Sequence, residues 1–141
     1  MIKVAICDDD IQFIYKLEQS IFRFAEMKRI KVDVDGYTSG AEFIQKLQQS
    51  ERYDLLFLDI ELGDSSGIIV GNWIRSQIQY ESMQIVFVSA KEMYAMQLFD
   101  LRPMNFLVKP IQQERVDYIL DEYERLYQFQ PHIIEIGRSE E

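Results

Sequence analysis

Residues 54–58 read DLLFL and residues 84–88 read QIVFV. Neither stretch alternates polar with apolar residues, as a strand with one face in water does; strands apolar along their length are covered on both faces. Working outward, each run is followed by a segment with helical spacing, and the same pairing recurs along the chain. Strands are expected at 2–7, 31–37, 54–58, 84–88 and 104–108, and helices at 11–28, 39–50, 67–79, 91–101 and 112–128. The last helix places Val116, Ile119, Leu120, Tyr123 and Tyr127 at three- and four-residue intervals. Five strand–helix units predict an α/β fold, a doubly wound five-stranded parallel sheet with helices on both faces.

The chain has 141 residues, 48% of them hydrophobic. That suffices for one domain with a real core. Its 15 Lys and Arg against 24 Asp and Glu give a net charge of -9, which repels a phosphate backbone and excludes DNA binding by this stretch alone. No apolar run approaches the ~20 residues of a membrane span, and Asp8 interrupts any signal-peptide pattern, so no membrane role and a cytoplasmic location are expected. The single cysteine, Cys7, lies in the first strand and reads as a packed thiol.

In such sheets ligands collect beyond the carboxyl ends of the strands, where the strand order reverses. Strand one ends in Asp8 and Asp9 of ICDDD (6–10), strand three in Asp59 of LFLDIELGDSSG (56–67), and strand four in Ser89 of VFVSAK (86–91). Strand five is followed by Lys109 of NFLVKP (105–110). If the order is 2-1-3-4-5, strands one and three are neighbours, and Asp8, Asp9 and Asp59 meet with Ser89 and Lys109 alongside. Crowded acids repel one another unless a cation offsets them. Three carboxylates against one lysine leave net negative charge of the kind that attracts Mg2+, a hard ion with oxygen ligands.

With these fragments in this order, the chain resembles the receiver domain of two-component response regulators, with its flavodoxin-like (βα)5 fold. The resemblance covers residues 2–128 and rests on Asp8-Asp9, Asp59 with Gly67 eight residues on, Ser89-Ala90, and Lys109-Pro110 preceded by Phe106. ICDDD and SAKEMYAMQLFDLRPMNFLVKPI (89–111) look closest to receivers of the LytTR class, whose regulators carry a C-terminal DNA-binding domain. The resemblance implies that Asp59 is the phosphoacceptor, attacking a phosphohistidine of a sensor histidine kinase. It implies Mg2+ held by Asp8, Asp9, Asp59 and the Glu61 carbonyl, with Lys109 and Ser89 on phosphoryl oxygens. Ser89 and Phe106 would form the switch, although Phe106 stands where tyrosine is common, so any signal through it relies on burial. The Lys109–Pro110 bond is expected to be cis. The chain would catalyse only its own phosphorylation and dephosphorylation and not be an enzyme otherwise.

Each residue has a plainer reading. Strand-end acids often cap helices, and Asp10 is expected to cap the first. Lys109 alone would be a solvated lysine, and Gly67 alone a turn glycine. His132, after Pro131 in a polar tail, reads as solvated. A phosphohydrolase of the haloacid-dehalogenase type would use Asp8 and Asp10 as an Asp-x-Asp pair, but it needs a further acidic pair after Lys109, where Asp117, Asp121 and Glu122 sit in an amphipathic helix. A flavodoxin-like binding module would want a phosphate loop where DDDIQF stands. A stand-alone receiver acting by protein contact is the remaining alternative.

Residues 1–128 are expected to form the receiver. Residues 129–141, with the apolar run Ile133 to Ile136, read as a linker or the start of a truncated output domain, through which alone DNA would be bound. Met93 and Met96 fall opposite Ala95 and Phe99, which puts Met93, Met96 and Gln97 outward on the fourth expected helix. Tyr118, Asp121, Glu122 and Arg125 flank the fifth. Apolar residues among mixed charge suit a homodimer on phosphorylation, through helix four, strand five and helix five. Glu61 and Lys91, two positions after Asp59 and Ser89, can bridge across the site and slow water attack on an aspartyl phosphate.

Overall fold

The computed structural model of the chain describes residues 1–128, without the side chains of residues 92–96 and 128. Its sheet is five-stranded and parallel throughout, in the order β2-β1-β3-β4-β5, from β1 (Ile2–Cys7), β2 (Val32–Tyr37), β3 (Leu55–Asp59), β4 (Gln84–Ser89) and β5 (Asn105–Val108). The helices are α1 (Ile11–Lys28), α2 (Gly40–Gln48), α3 (Gly67–Arg75) and α4 (Gln113–Tyr123).

The unbroken apolar runs are explained by two cores, one on each face of the sheet. Strand side chains alternate between faces. Val4, Ile6, Leu55, Phe57, Val86, Val88 and Leu107 pack with Ile14, Leu17, Ile21 and Phe24 of α1 and with Val116, Ile119, Leu120 and Tyr123 of α4. Ala5, Cys7, Leu56, Leu58, Ile85 and Phe87 pack with Phe43 and Leu47 of α2 and Val70 and Ile74 of α3. Cys7 is fully buried, and burial pushes its thiol pKa up, so it is the packed thiol expected of its strand position.

Polar side chains set where the helices begin. Asp10 Oδ1 accepts from the backbone N–H groups of Gln12 (3.0 Å) and Phe13 (3.4 Å), the expected cap of α1, and Ser39 and Ser66 cap α2 and α3. α1 ends at Lys28; the left-handed φ of 58° at its cap, Arg29, turns the chain so that the Ile30 N–H donates back to the Ala25 carbonyl (3.0 Å).

Residues 91–101 depart from expectation. Glu92–Leu101 is a 3-10 segment, not an α-helix. Its three-residue turn brings Leu98 and Leu101 into the core and leaves Phe99 83% exposed, so Phe99 is not on the inward face assigned to it from a 3.6-residue period. Arg75 of α3 holds the far end of this segment, donating from Nε to the Leu101 carbonyl (2.8 Å) and from Nη2 to that of Arg102 (3.2 Å). Met93, Tyr94, Ala95 and Met96 have their side chains outside the described residues, as are His132 and the run Ile133 to Ile136. The third helix ends at Arg75, with a 3-10 turn at Ile78–Tyr80, and α4 passes into a π-helical turn at Glu124–Gln128. No helix among the described residues is long and apolar enough to cross a membrane.

Candidate functional site

The strand register brings the acids together. Cys7 is opposite Leu58 across β1 and β3, so Asp8, one residue past β1, stands beside Asp59 at the end of β3. Asp8, Asp9 and Asp59 each offer a carboxylate oxygen within 4.8 Å of the others. Asp8 is 1% and Asp59 4% exposed, whereas Asp9 faces solvent. Lys109 follows β5, its backbone N–H donating to the Ser89 carbonyl (2.8 Å) and its peptide bond to Pro110 being cis. Its Nζ reaches Asp8 Oδ2 at 2.8 Å and Asp59 Oδ2 at 3.8 Å.

One lysine does not balance this charge. Burial pushes the Asp59 carboxyl pKa up to about 6, with the negative charge of Asp8 adding to the effect and Lys109 opposing it. Burial also raises that of Asp8, against the pull of Lys109 and of the Asp10 N–H, which donates to Asp8 Oδ1 (2.8 Å). Asp8 Oδ2 is buried and has no well-aligned hydrogen bond among the described residues, its close cation being Lys109. An incompletely satisfied buried oxygen among three acids fits a hard divalent cation such as Mg2+. Asp10 caps α1 and is not one of the three, which removes the Asp-x-Asp pair that a haloacid-dehalogenase-type site would need.

The other expected residues surround this cluster. Ser89 is fully buried; its hydroxyl accepts from the Lys91 backbone N–H (3.0 Å) and donates to Glu61 Oε1 (3.3 Å). Glu61 Oε2 pairs with Lys91 Nζ at 3.1 Å, the bridge anticipated from their positions, and the Glu61 backbone N–H donates to Asp59 Oδ1 (3.3 Å). Phe106 is half-buried against the core under α2 and α3. Gly67 is fixed by contact: a Cβ there would lie 2.2 Å from the Asp59 carbonyl oxygen and 2.8 Å from Ile60 Cα, so only glycine lets α3 start against the end of β3.

Sequence reasoning missed two residues. Asp64 accepts from the backbone N–H groups of Gly40 and Ala41 (3.1 Å each), tying the loop after Asp59 to the start of α2 and holding its own carboxyl pKa low. Phe13 of α1 lies with its ring centroid 4.3 Å from Lys109 Nζ. Both contacts join residues far apart in sequence, so no local pattern announces them.

The family profile described as "Response regulator receiver domain" matches residues 4–121. The chain belongs to the response regulator receiver family. Among curated relatives, it is similar to the sensory transduction protein LytT of Bacillus cereus (30% identity over 131 residues, 92% of this chain and 50% of that one). It is also similar to the sensory transduction protein LytR of Streptococcus agalactiae (30% over 126 residues, 89% and 49%). These are the regulators to which the wording of residues 89–111 pointed. The chain spans about half the length of these relatives. Among solved structures, the response regulatory domain of protein mrkE from Klebsiella pneumoniae shares the fold with a TM-score of 0.77 at 23% identity, covering 91% of this receiver and 99% of that chain. The BeF3-activated DrrB receiver domain does so at 0.73 and 18%, covering 89% and 98%.

Proposed function

We propose that this receiver accepts a phosphoryl group on Asp59 from a phosphohistidine of a sensor histidine kinase, in a Mg2+-dependent reaction. The observation that carries the reading is the meeting of the Asp8, Asp9 and Asp59 oxygens within 4.8 Å, with Lys109 Nζ against two of them. An Asp59 carboxylate oxygen attacks phosphorus, the new O–P bond forms as the P–N bond to histidine breaks, and the histidine nitrogen leaves with the electron pair. Lys109 neutralises one phosphoryl oxygen. Ser89, now on Glu61, turns its hydroxyl to another, and Phe106 follows it inward. Mg2+, held by Asp8, Asp9, Asp59 and the Glu61 carbonyl, supplies charge neutralisation at the phosphoryl oxygens when bound.

The receiver is residues 1–128, and 129–141 is the linker to, or start of, an output domain. That output is a LytTR-type DNA-binding domain controlling transcription, a reading supported by the regulator names of the relatives and by their roughly twofold greater length. The printed name "Transcriptional regulatory protein LytR" of a Staphylococcus aureus relative, 38% identical over 66 residues (47% of this chain, 26% of that one), points the same way. The reaction is tested by intact mass after incubation with acetyl phosphate and Mg2+. One added phosphoryl group is expected, absent without Mg2+ and absent in Asp59→Asn; equal labelling of the Asn variant at the same site rejects the nucleophile assignment.

A further inference from the structure

We propose that Phe13 is a positioning residue for Lys109, holding its ammonium toward the phosphoacceptor through the face of the aromatic ring; the role in transfer rests on the function proposed above, whereas the contact does not. Among the described residues the Lys109 ammonium has partners of two kinds, the carboxylate oxygens Asp8 Oδ2 at 2.8 Å and Asp59 Oδ2 at 3.8 Å and the Phe13 ring, whose centroid lies at 4.3 Å. A cation within ~6 Å of a ring centroid is attracted by the ring's quadrupole, more strongly where water is thinned out. Lys109 is such a case, with its side chain only 23% exposed.

The two acids cannot hold the lysine through a reaction cycle. Asp59 loses its free carboxylate on phosphorylation, and a divalent cation at the acids competes with Lys109 for Asp8. A phosphoryl oxygen then becomes a partner of the ammonium, as proposed above, and the ring is the one contact of the three that neither event removes. Phe13 itself is fixed, because its backbone N–H is capped by Asp10 Oδ1 (3.4 Å) in the first turn of α1 and its side chain packs on the core beneath. Phe13 of α1 and Lys109 and Pro110 of the segment after β5 all line a surface groove of about 400 Å³. Without the ring, Lys109 has this open groove to swing into. The rate of transfer then falls with the fraction of molecules whose Lys109 faces Asp59.

The test uses the full chain in two readouts. Lys109 ε-methylene protons over the ring face should be shifted upfield in NMR spectra, and Phe13→Leu should remove that shift. Phosphorylation by acetyl phosphate with Mg2+ should slow roughly 3- to 10-fold in Phe13→Leu, a loss in line with a partly desolvated cation–π contact. Phe13→Trp should restore it. Replacing Phe13 with mono-, di- and trifluorinated phenylalanine keeps ring shape while draining the quadrupole, and should lower the rate stepwise; this series also serves if the Leu variant does not fold. A rate flat across the fluorinated series, or Lys109 shifts equal in wild type and Phe13→Leu, overturns the proposal. If the wild type takes no phosphoryl group at all, the proposed function fails, and the proton shifts alone decide the ring contact.

Discussion

Asp59 is 4% exposed and lies beside the charge of Asp8, which raises its carboxyl pKa to about 6 from an ordinary value near 4. Between those two pH values the folded chain keeps a proton that the unfolded chain has lost. Stability conferred by that proton is therefore present at low pH and disappears as pH rises through about 6, a change on the order of 3 kcal/mol at most. In metal-free solution Asp59→Asn should thus be more stable than wild type at pH 7, by about 1–3 kcal/mol, with the advantage gone near pH 4. Urea unfolding at the two pH values checks this; an advantage independent of pH would mean that ionisation of Asp59 is not its cause. Gly67→Ala has the opposite sign. The added methyl meets backbone 2.2 Å away and cannot be absorbed by a side-chain rotation, so a loss of at least about 1–3 kcal/mol is expected in the same assay. An unchanged urea midpoint would show that α3 can shift without cost.

At the level of elements, what was legible depended on how local the determining contact is. DLLFL and QIVFV announced buried parallel strands because burial on both faces leaves no polar residue after the opening Asp54 and Gln84, and the strand ends then located Asp59 and Ser89, as the end of the first strand located Asp8. Asp10 was legible as a cap because capping is a contact over two or three residues. The segment Glu92–Leu101 was not, since an apolar pattern at three- and four-residue spacing fits a 3-10 turn as well as an α-helix, and the Arg75 contacts that hold its end come from 26 and 27 residues away. Gly67 gave a turn signal but not the close approach of α3 to β3. The Glu61–Lys91 bridge lies between these cases, predictable from positions relative to Asp59 and Ser89 once the strands were placed. Because both side chains are partly exposed, that bridge adds little to stability. Its expected effect is kinetic: two residues from Asp59 in the chain and bonded to it through the Glu61 N–H, the bridge would hinder attack by water and give an aspartyl phosphate that lasts many minutes. Glu61→Ala and Lys91→Ala should each shorten that lifetime, as followed by loss of phosphoryl mass after donor removal. Rates equal to wild type in both variants would remove the gate.

For the molecule as a whole, the face formed by the 3-10 segment, β5 and α4 is where a phosphorylation-driven homodimer is expected. β5 is an edge strand, and Phe99 (83% exposed), Val108 (36%) and Tyr118 (51%) bring apolar surface to this side. Tyr118 donates from its hydroxyl to Glu122 (3.1 Å), which also pairs with Arg125 (3.6 Å), so mixed charge accompanies the apolar residues. Such a mixture suits a two-fold interface, in which each residue meets the partner's complement. Opposing association is the charge of -9 that each copy carries, so dimerisation should strengthen with salt over the range where long-range repulsion is screened. On the proposed function the link from the site would run through Ser89, which would leave Glu61 to reach a phosphoryl group, to Phe106 in β5, and a coupling of ~1–3 kcal/mol would suffice to move the equilibrium by one to two orders of magnitude. Sedimentation velocity with beryllofluoride and Mg2+ should show a concentration-dependent shift to dimer that is weak without them, and Phe99→Glu should oppose it. A chain that stays monomeric at high micromolar concentration in both states, at low and moderate salt alike, would leave this face to the output domain instead.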